Sequence, residues 1–221
     1  SLRESRLTKE EYSAILAGCV ESLETAWSRF PPQERKLPAS AGNKRKQSRK
    51  KGWSVMIRIF TDTAANLPSG ILQSYGIEFV PLSYSVNGES AVQTAMKDFD
   101  GKTFYGAMRN GAEVQTSMAN MNIFLDPFRR ALERGEDVLY IGISGGISGT
   151  SHAAYLAAEE LKKQYPDRKI VTINSLAASL GEGLQVIEAA EQAEKGASIE
   201  EIAEDLTARL QQMCQFFTVD D

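Results

Sequence analysis

The sequence predicts an α/β fold, a parallel sheet with helices on both faces, preceded by an amphipathic helix and a basic linker. Three observations carry this. From Met56 onward, strand-like and helix-like stretches alternate with short loops between them, the pattern of βα units joined by right-handed crossovers. Val138–Ile143 is continuously apolar, as suits a strand buried on both faces. It runs into Ser144-Gly-Gly-Ile-Ser-Gly-Thr150 and then a stretch in which Ala153, Ala157 and Leu161 share one helical face.

The elements follow in order. Thr8-Lys-Glu-Glu11 has the form of a capping box. Tyr12, Ile15, Leu16, Cys19, Leu23, Ala26, Trp27 and Phe30 then recur at helical spacing until Pro31-Pro32, which stops a helix. Residues 1–30 are therefore expected to be one amphipathic helix, packing on the main domain or on a copy of itself, or belonging to a neighbouring domain. Residues 31–55, rich in Pro, Ala, Ser and Gly before a basic run, are expected to be a flexible linker. The third segment, 56–221, is the α/β lobe. Met56–Phe60 reads as a strand, with Thr61-Asp-Thr63 at its carboxyl end. Pro68 opens a short helix to Tyr75. Ile77–Val86 reads as one further strand, and Asn87-Gly88 as a turn. Asp98–Asn110 is expected to be helical with Phe99, Phe104 and Met108 inward, and Glu113–Ser117 extended. Met121–Arg134 should be a helix capped by Asn120 or Asn122, with Phe124, Leu125, Phe128 and Leu132 inward. After the central unit come a strand at Lys169–Ile173 and a helix at Gly181–Lys195 ended by Gly196. The capping box Ser198-Ile-Glu-Glu201 opens a helix with Ile202, Leu206 and Leu210 on one face, and Cys214–Val219 is strand-like.

Composition narrows the function. The net charge of the 221 residues is −4, while residues 43–51 carry six positive groups and residues 1–42 are balanced, leaving −10 on residues 52–221. An acidic body argues against nucleic acid as a partner. Two cysteines without metal-ligand spacing and a single histidine, His152, argue against a metal site and fit a reducing, cytoplasmic setting. No apolar run reaches the length of a membrane span.

In parallel sheets ligands bind beyond the carboxyl ends of the strands. Thr61-Asp-Thr63, Ser144–Thr150 and Asn174-Ser175 each follow a strand, so all three should lie on one rim, with Thr116-Ser117 able to join them. A glycine-rich turn before a helix N-terminus offers unpaired backbone N–H groups and the positive end of the helix dipole. The anionic end of a ligand is expected there. A rival reading takes Gly142-Ile-Ser144-Gly-Gly146 as the nucleophile elbow of a serine hydrolase. Such a triad needs an acid and then a histidine downstream, and the only histidine lies eight residues after the serine. The loop also lacks the Gly-Lys-Ser/Thr ending of a phosphate-binding P-loop.

Thr61-Asp-Thr-Ala-Ala-Asn-Leu-Pro68 resembles the opening Thr-Asp-Ser-Thr-x-x-Leu-Pro of the DegV family of bacterial fatty-acid-binding proteins. Phe79-Val-Pro-Leu-Ser83, Thr116-Ser117 and Ser144-Gly-Gly-Ile-Ser-Gly-Thr150 are similar to that family's later motifs, in the same order. The resemblance implies a protein that holds one long-chain fatty acid, with no cofactor and no catalysis of its own. It implies presentation of the carboxylate to a fatty-acid kinase with a dihydroxyacetone-kinase-like domain, for acyl-phosphate formation. It also allows transient contact with a membrane surface. By motif, Thr116 and Ser148 would bind the carboxylate, with Ser117 and Gly149 beside them and Ser144, Thr61 and Ser175 as further lining. The family's Thr-Ser-Gln-Pro is here Thr116-Ser-Met-Ala119, and its Asp-Ser is Asn174-Ser175. The resemblance covers only the carboxylate-binding lobe, so the second lobe of the family is expected to be missing or incomplete, and with it much of the acyl tunnel.

Overall fold

The computed structural model describes residues 56–92 and 100–215. The expected helix 1–30, the linker 31–55, Phe99 and most of the strand-like run 214–219 lie outside the described residues.

The strands are β1 (Ile57–Asp62), β2 (Glu78–Val80), β3 (Ser83–Val86), β4 (Glu89–Val92), β5 (Val114–Ser117), β6 (Asp137–Gly142) and β7 (Ile170–Asn174). The α-helices are α1 (Ser69–Tyr75), α2 (Gly101–Arg109), α3 (Met121–Glu133), α4 (Thr150–Gln164), α5 (Leu180–Glu194) and α6 (Ile199–Arg209). Short 3-10 turns span Thr63–Ala65 and Leu210–Gln212. Among the described residues the main sheet has four strands in the order β2-β1-β6-β7, all parallel.

Every residue of β6 is buried, because this strand lies inside the sheet and both faces are covered. Leu139 and Ile141 join Ile59, Ile173 and the apolar faces of α1, α5 and α6 in one core, which includes Leu72, Val186, Ile202 and Leu206. Val138 and Tyr140 point the other way, into Phe124, Phe128, Leu132, Ala153, Ala157 and Leu161 of α3 and α4. The period-two alternation along β6 thus divides one apolar run between two cores. Small alanines on α4 let it lie close to the sheet. Leu125 is half-buried at the edge of the second core.

Helix ends follow local chemistry. The Asn120 side chain caps α3 by accepting from the Asn122 N–H. Ser198 and Glu201 form the expected reciprocal capping box on α6. Gly196, at a φ of 92°, takes the left-handed backbone that ends α5 cheaply only for glycine.

The structure corrects four expectations. Ile77–Val86 is not one strand: Pro81 lacks an N–H for a ladder, and the Leu82 N–H goes to Thr63 Oγ1 at 3.0 Å. The chain therefore leaves the parallel sheet after β2. Next, β3, β4 and β5 form a separate antiparallel sheet in the order β4-β3-β5, where the end of that one strand, a turn and an extended piece were expected. Asn87 and Gly88 both have positive φ, 51° and 84°, as a tight hairpin turn requires. Met108 points outward, 45% exposed, because α2 buries no residue fully; its inward side chain is Phe104, whose ring meets Tyr84 edge-on at 5.2 Å. Finally, Cys214 and Gln215 are irregular and exposed rather than strand.

Candidate functional site

Because β1, β6 and β7 are parallel, their carboxyl ends open onto one rim. Asp62 ends β1 and is buried there. Its carboxylate accepts from Tyr140 Oη at 2.8 Å, the Ile143 N–H at 3.1 Å and the Ala64 N–H at 2.9 Å. The last caps the 3-10 turn; the middle one holds the first residue after β6. Gly142 makes this possible, since a Cβ there would overlap the Tyr140 hydroxyl. The loop after β6 is tied to the loop after β7 by the Ser144 N–H to Ala177 O at 2.7 Å and the Gly145 N–H to Asn174 Oδ1 at 2.9 Å.

The loop delivers Ser148 and Gly149 to the start of α4. Gly149 is the N-cap and has no side chain with which to cap the helix. Ser148 Oγ accepts the Thr150 N–H at 3.3 Å and lies 2.8 Å from Thr150 Oγ1. Thr150 Oγ1 in turn accepts the Ala119 N–H at 3.2 Å. A hydroxyl has one proton and two acceptor positions. If Thr150 donates to Ser148, the Ser148 proton points out toward a ligand, and the Ser151 and His152 N–H groups of the first turn precede any intrahelical acceptor. A hydroxyl and free N–H groups at a helix N-terminus can receive an anion.

Two contacts bring the end of β5 to the same place. One is the Ala119–Thr150 bond. The other is Met118, whose sulfur would stand 2.6 Å from a Cβ on Gly149, so Gly149 lets Met118 lie over the helix terminus. Thr116 and Ser117 precede Met118 and are exposed on β5. Thr116, Ser117, Ser148, Gly149 and the half-buried Ser144 therefore share one neighbourhood. Thr61 and Ser175 lie beneath it. Thr61 is buried and donates to Glu182 Oε1 at 2.9 Å. Ser175 is buried and its hydroxyl bridges its own loop through Ala177.

The hydrolase geometry is not formed. Ser144 Oγ accepts the Gly146 N–H at 3.3 Å, and His152 is exposed, stacked on Tyr155 at 6.1 Å. Among the described residues no hydrogen bond joins the two. Backbone strain falls elsewhere: Leu176 and Ser179, with φ of 54° and 52°, flank the loop after β7.

Sequence reasoning placed Asp62 on the rim within Thr61-Asp-Thr63 but missed its buried role, and it missed Glu182 and Gln185 altogether. Burial raises the Asp62 carboxyl, against hydrogen bonds from Ile143, Tyr140 and Ala64. Burial and then the Asp62 charge push the Tyr140 phenol well up. Burial, with Asp62 nearby, pushes Glu182 up to about 9. Among the described residues no group of three or more His, Cys, Asp or Glu could hold a metal ion, and no helix is long and apolar enough to cross a membrane.

The model of the DegV family, described as uncharacterised proteins, matches residues 56–221. The chain belongs to the DegV family. A DegV domain-containing protein of Clostridium perfringens is 33% identical over 162 residues, covering 73% of this chain and 56% of that protein. Another, YteA of Lactococcus lactis, is 30% identical over 164 residues, 74% of this chain and 57% of its own. This DegV chain thus spans just over half the length of the curated relatives it matches. Its fold is shared with a DegV family protein of Thermus thermophilus, described as fatty-acid binding (TM-score 0.63, 33% identity, 72% of this chain and 54% of that one). It is also shared with a stearic-acid-binding protein of Eubacterium ventriosum (TM-score 0.63, 27% identity, 69% and 53%).

Proposed function

We propose that this DegV chain binds a long-chain fatty acid, with the carboxylate at the carboxyl-end rim of the parallel sheet. Thr116 and Ser148 are its main ligands, Ser117 and Gly149 lie beside them, and Ser144 is further lining. The observation that carries this is the meeting of β5 with the N-terminus of α4 through the Ala119–Thr150 bond. That bond gathers hydroxyls and unpaired N–H groups at one point. Around it the rim exposes large apolar side chains, Met118, Ile147, Leu176, Leu180 and Leu184, which suit an acyl tail. The solved relatives described as binding fatty acids support the same ligand.

Burying some 14 methylenes at about 0.8 kcal/mol each gives on the order of 11 kcal/mol gross, before ordering costs of several kcal/mol. Hydroxyl bonds to a carboxylate add roughly 1.5–3 kcal/mol each. The tail sets affinity and the head group sets position. The exposed Gly145 and Gly146 beside the site leave the carboxylate open to a second protein. In this reading the bound acid is presented to a kinase with a dihydroxyacetone-kinase-like domain, which carries out acyl-phosphate formation.

The test is native mass spectrometry of the purified chain with lipid extraction, then titration with stearate. A bound fatty acid is expected, with affinity about 10- to 100-fold lower in Ser148→Ala and in Thr116→Val, as loss of one charged hydrogen bond implies. A chain that binds stearate equally well after both substitutions would overturn the head-group assignment.

A further inference from the structure

Beneath the rim lies a cluster that direct carboxylate binding does not use. Glu182, in the first turn of α5, is 0% exposed. Its Oε1 accepts from Thr61 Oγ1 at 2.9 Å, and it also takes a backbone bond from Asp62. Gln185 lies three residues on. It is buried, and its Nε2 donates to Ser175 O at 3.0 Å. These two side chains therefore tie α5 to the exits of β1 and β7. The helix comes very close here: a Cβ on Gly183 would stand 2.8 Å from Ala65 O.

Two polar atoms in this cluster are buried without a hydrogen-bond partner, Glu182 Oε2 and Gln185 Oε1. With Glu182 ionised, both are acceptors. A buried acceptor left unpaired is costly, and two on one helix face repel. At i and i+3 they are neighbours on that face. A single proton on Glu182 Oε2 turns one acceptor into a donor and satisfies both, directly or through one buried water. Asp62 cannot be where that proton resides. Three donors converge on its carboxylate, which is the arrangement for the ionised form. One acid of the pair is charged and the other neutral, as for two carboxyls sharing a low-dielectric site.

We infer that Glu182 is a positioning residue of the rim, a neutral acid whose Oε2 proton is shared with Gln185 Oε1, clamping the exits of β1 and β7 beneath the carboxylate loop. The titratable groups that face it are Asp62 from β1 and Tyr140 from β6. Asp62 in turn holds Ile143 at the root of the loop that carries Ser148. Ionising Glu182 leaves a second negative charge beside Asp62 and frees both orphan acceptors. The rim loosens, and bound fatty acid is released. This last step rests on the proposed function; the clamp itself does not.

The experiment has two arms on the full chain. In the first, without ligand, carbon-13 NMR follows the glutamate carboxyls, and denaturant unfolding is measured from pH 6 to 9. One glutamate is expected to titrate near pH 9 and to vanish in Glu182→Gln, which keeps the neutral amide shape. The unfolding equilibrium constant should rise up to tenfold per pH unit in the wild type, one proton's worth, and much less in Glu182→Gln. If every glutamate titrates in the ordinary range, or the two slopes agree, the clamp is overturned. In the second arm, stearate affinity at pH 9.5 relative to pH 7 is expected to fall about tenfold in the wild type and to hold in Glu182→Gln. Equal falls in both would overturn the coupling to the rim. Failure of the wild type to bind stearate at pH 7, with the first arm intact, would refute the proposed function and leave the clamp standing.

Discussion

Gly142 shows how a residue acquires its reason only in three dimensions. In the sequence it is one of several glycines around Ser144, and close approach of a ligand is the natural reading. In the structure the space belongs to Tyr140, whose hydroxyl reaches Asp62 across the place a Cβ would occupy. Gly142→Ala should therefore cost about 1–3 kcal/mol as overpacking. Thermal unfolding should show a drop of roughly 2–4 °C per kcal/mol for a domain of this size. A variant as stable as the wild type would remove Tyr140 from the account. The buried roles of Asp62 and Glu182 were illegible for a related reason. The Thr61–Glu182 bond joins residues 121 positions apart, and nothing local in an acid at the start of a helix distinguishes an exposed N-terminal charge from a buried partner. The hydroxyls were legible, but not their division. Thr61 and Ser175 hold the protein together beneath the rim, whereas Ser148 sits beside a helix terminus.

At the scale of elements, what was legible depended on whether the signal was local. The capping box of α6 is four consecutive residues, and it forms as read. Ser198→Ala should cost about 1 kcal/mol, lower the melting temperature by a few degrees and leave stearate affinity unchanged, since α6 and the carboxylate loop's α4 pack in the cores on opposite faces of the sheet. A change in affinity would mean that the two faces of the sheet are coupled. The apolar run of β6 and the helical face of α4 were equally local, and both stand. The antiparallel sheet was not local. Its hairpin turn at Asn87-Gly88 could be read, but the pairing of β3 with β5 joins Val86 to Val114. Short half-buried strands carry too few apolar residues for period two to identify them. That small sheet is what carries Thr116 and Ser117 to the rim, so half of the proposed carboxylate site depends on the least legible part of the fold.

Across the whole molecule, charge is arranged differently at the two ends of the sheet, and this sets the response to pH. At the amino end, Glu136 accepts from Arg58 at 2.8 and 3.1 Å and from Arg134 at 2.8 and 3.1 Å. Burial pushes its carboxyl up, but the two guanidinium partners outweigh burial and hold it below its ordinary value of 4.5. A lowered acid stabilises the fold above its unfolded pKa, and that contribution is lost as pH falls. The exposed acids at helix surfaces add little to this limb. At the carboxyl end the sign reverses. Glu182 is raised from 4.5 to about 9, so its contribution is complete below 4.5 and is lost progressively as pH rises through that window. Asp62 is raised too, by burial, and acts in the same direction. The two ends together place maximum stability at or just below the ordinary glutamate value of 4.5. Above it, one proton's difference costs about 1.4 kcal/mol per pH unit, or roughly 3–5 °C per unit in melting temperature. Melting curves from below pH 4 up to pH 9 should therefore rise to an acidic maximum and then fall. Glu136→Gln should flatten the acid limb alone, and Glu182→Gln the alkaline limb alone. A melting temperature that stays level or climbs from pH 6 to 9 would contradict the buried acids at the carboxyl end and leave those at the amino end untouched.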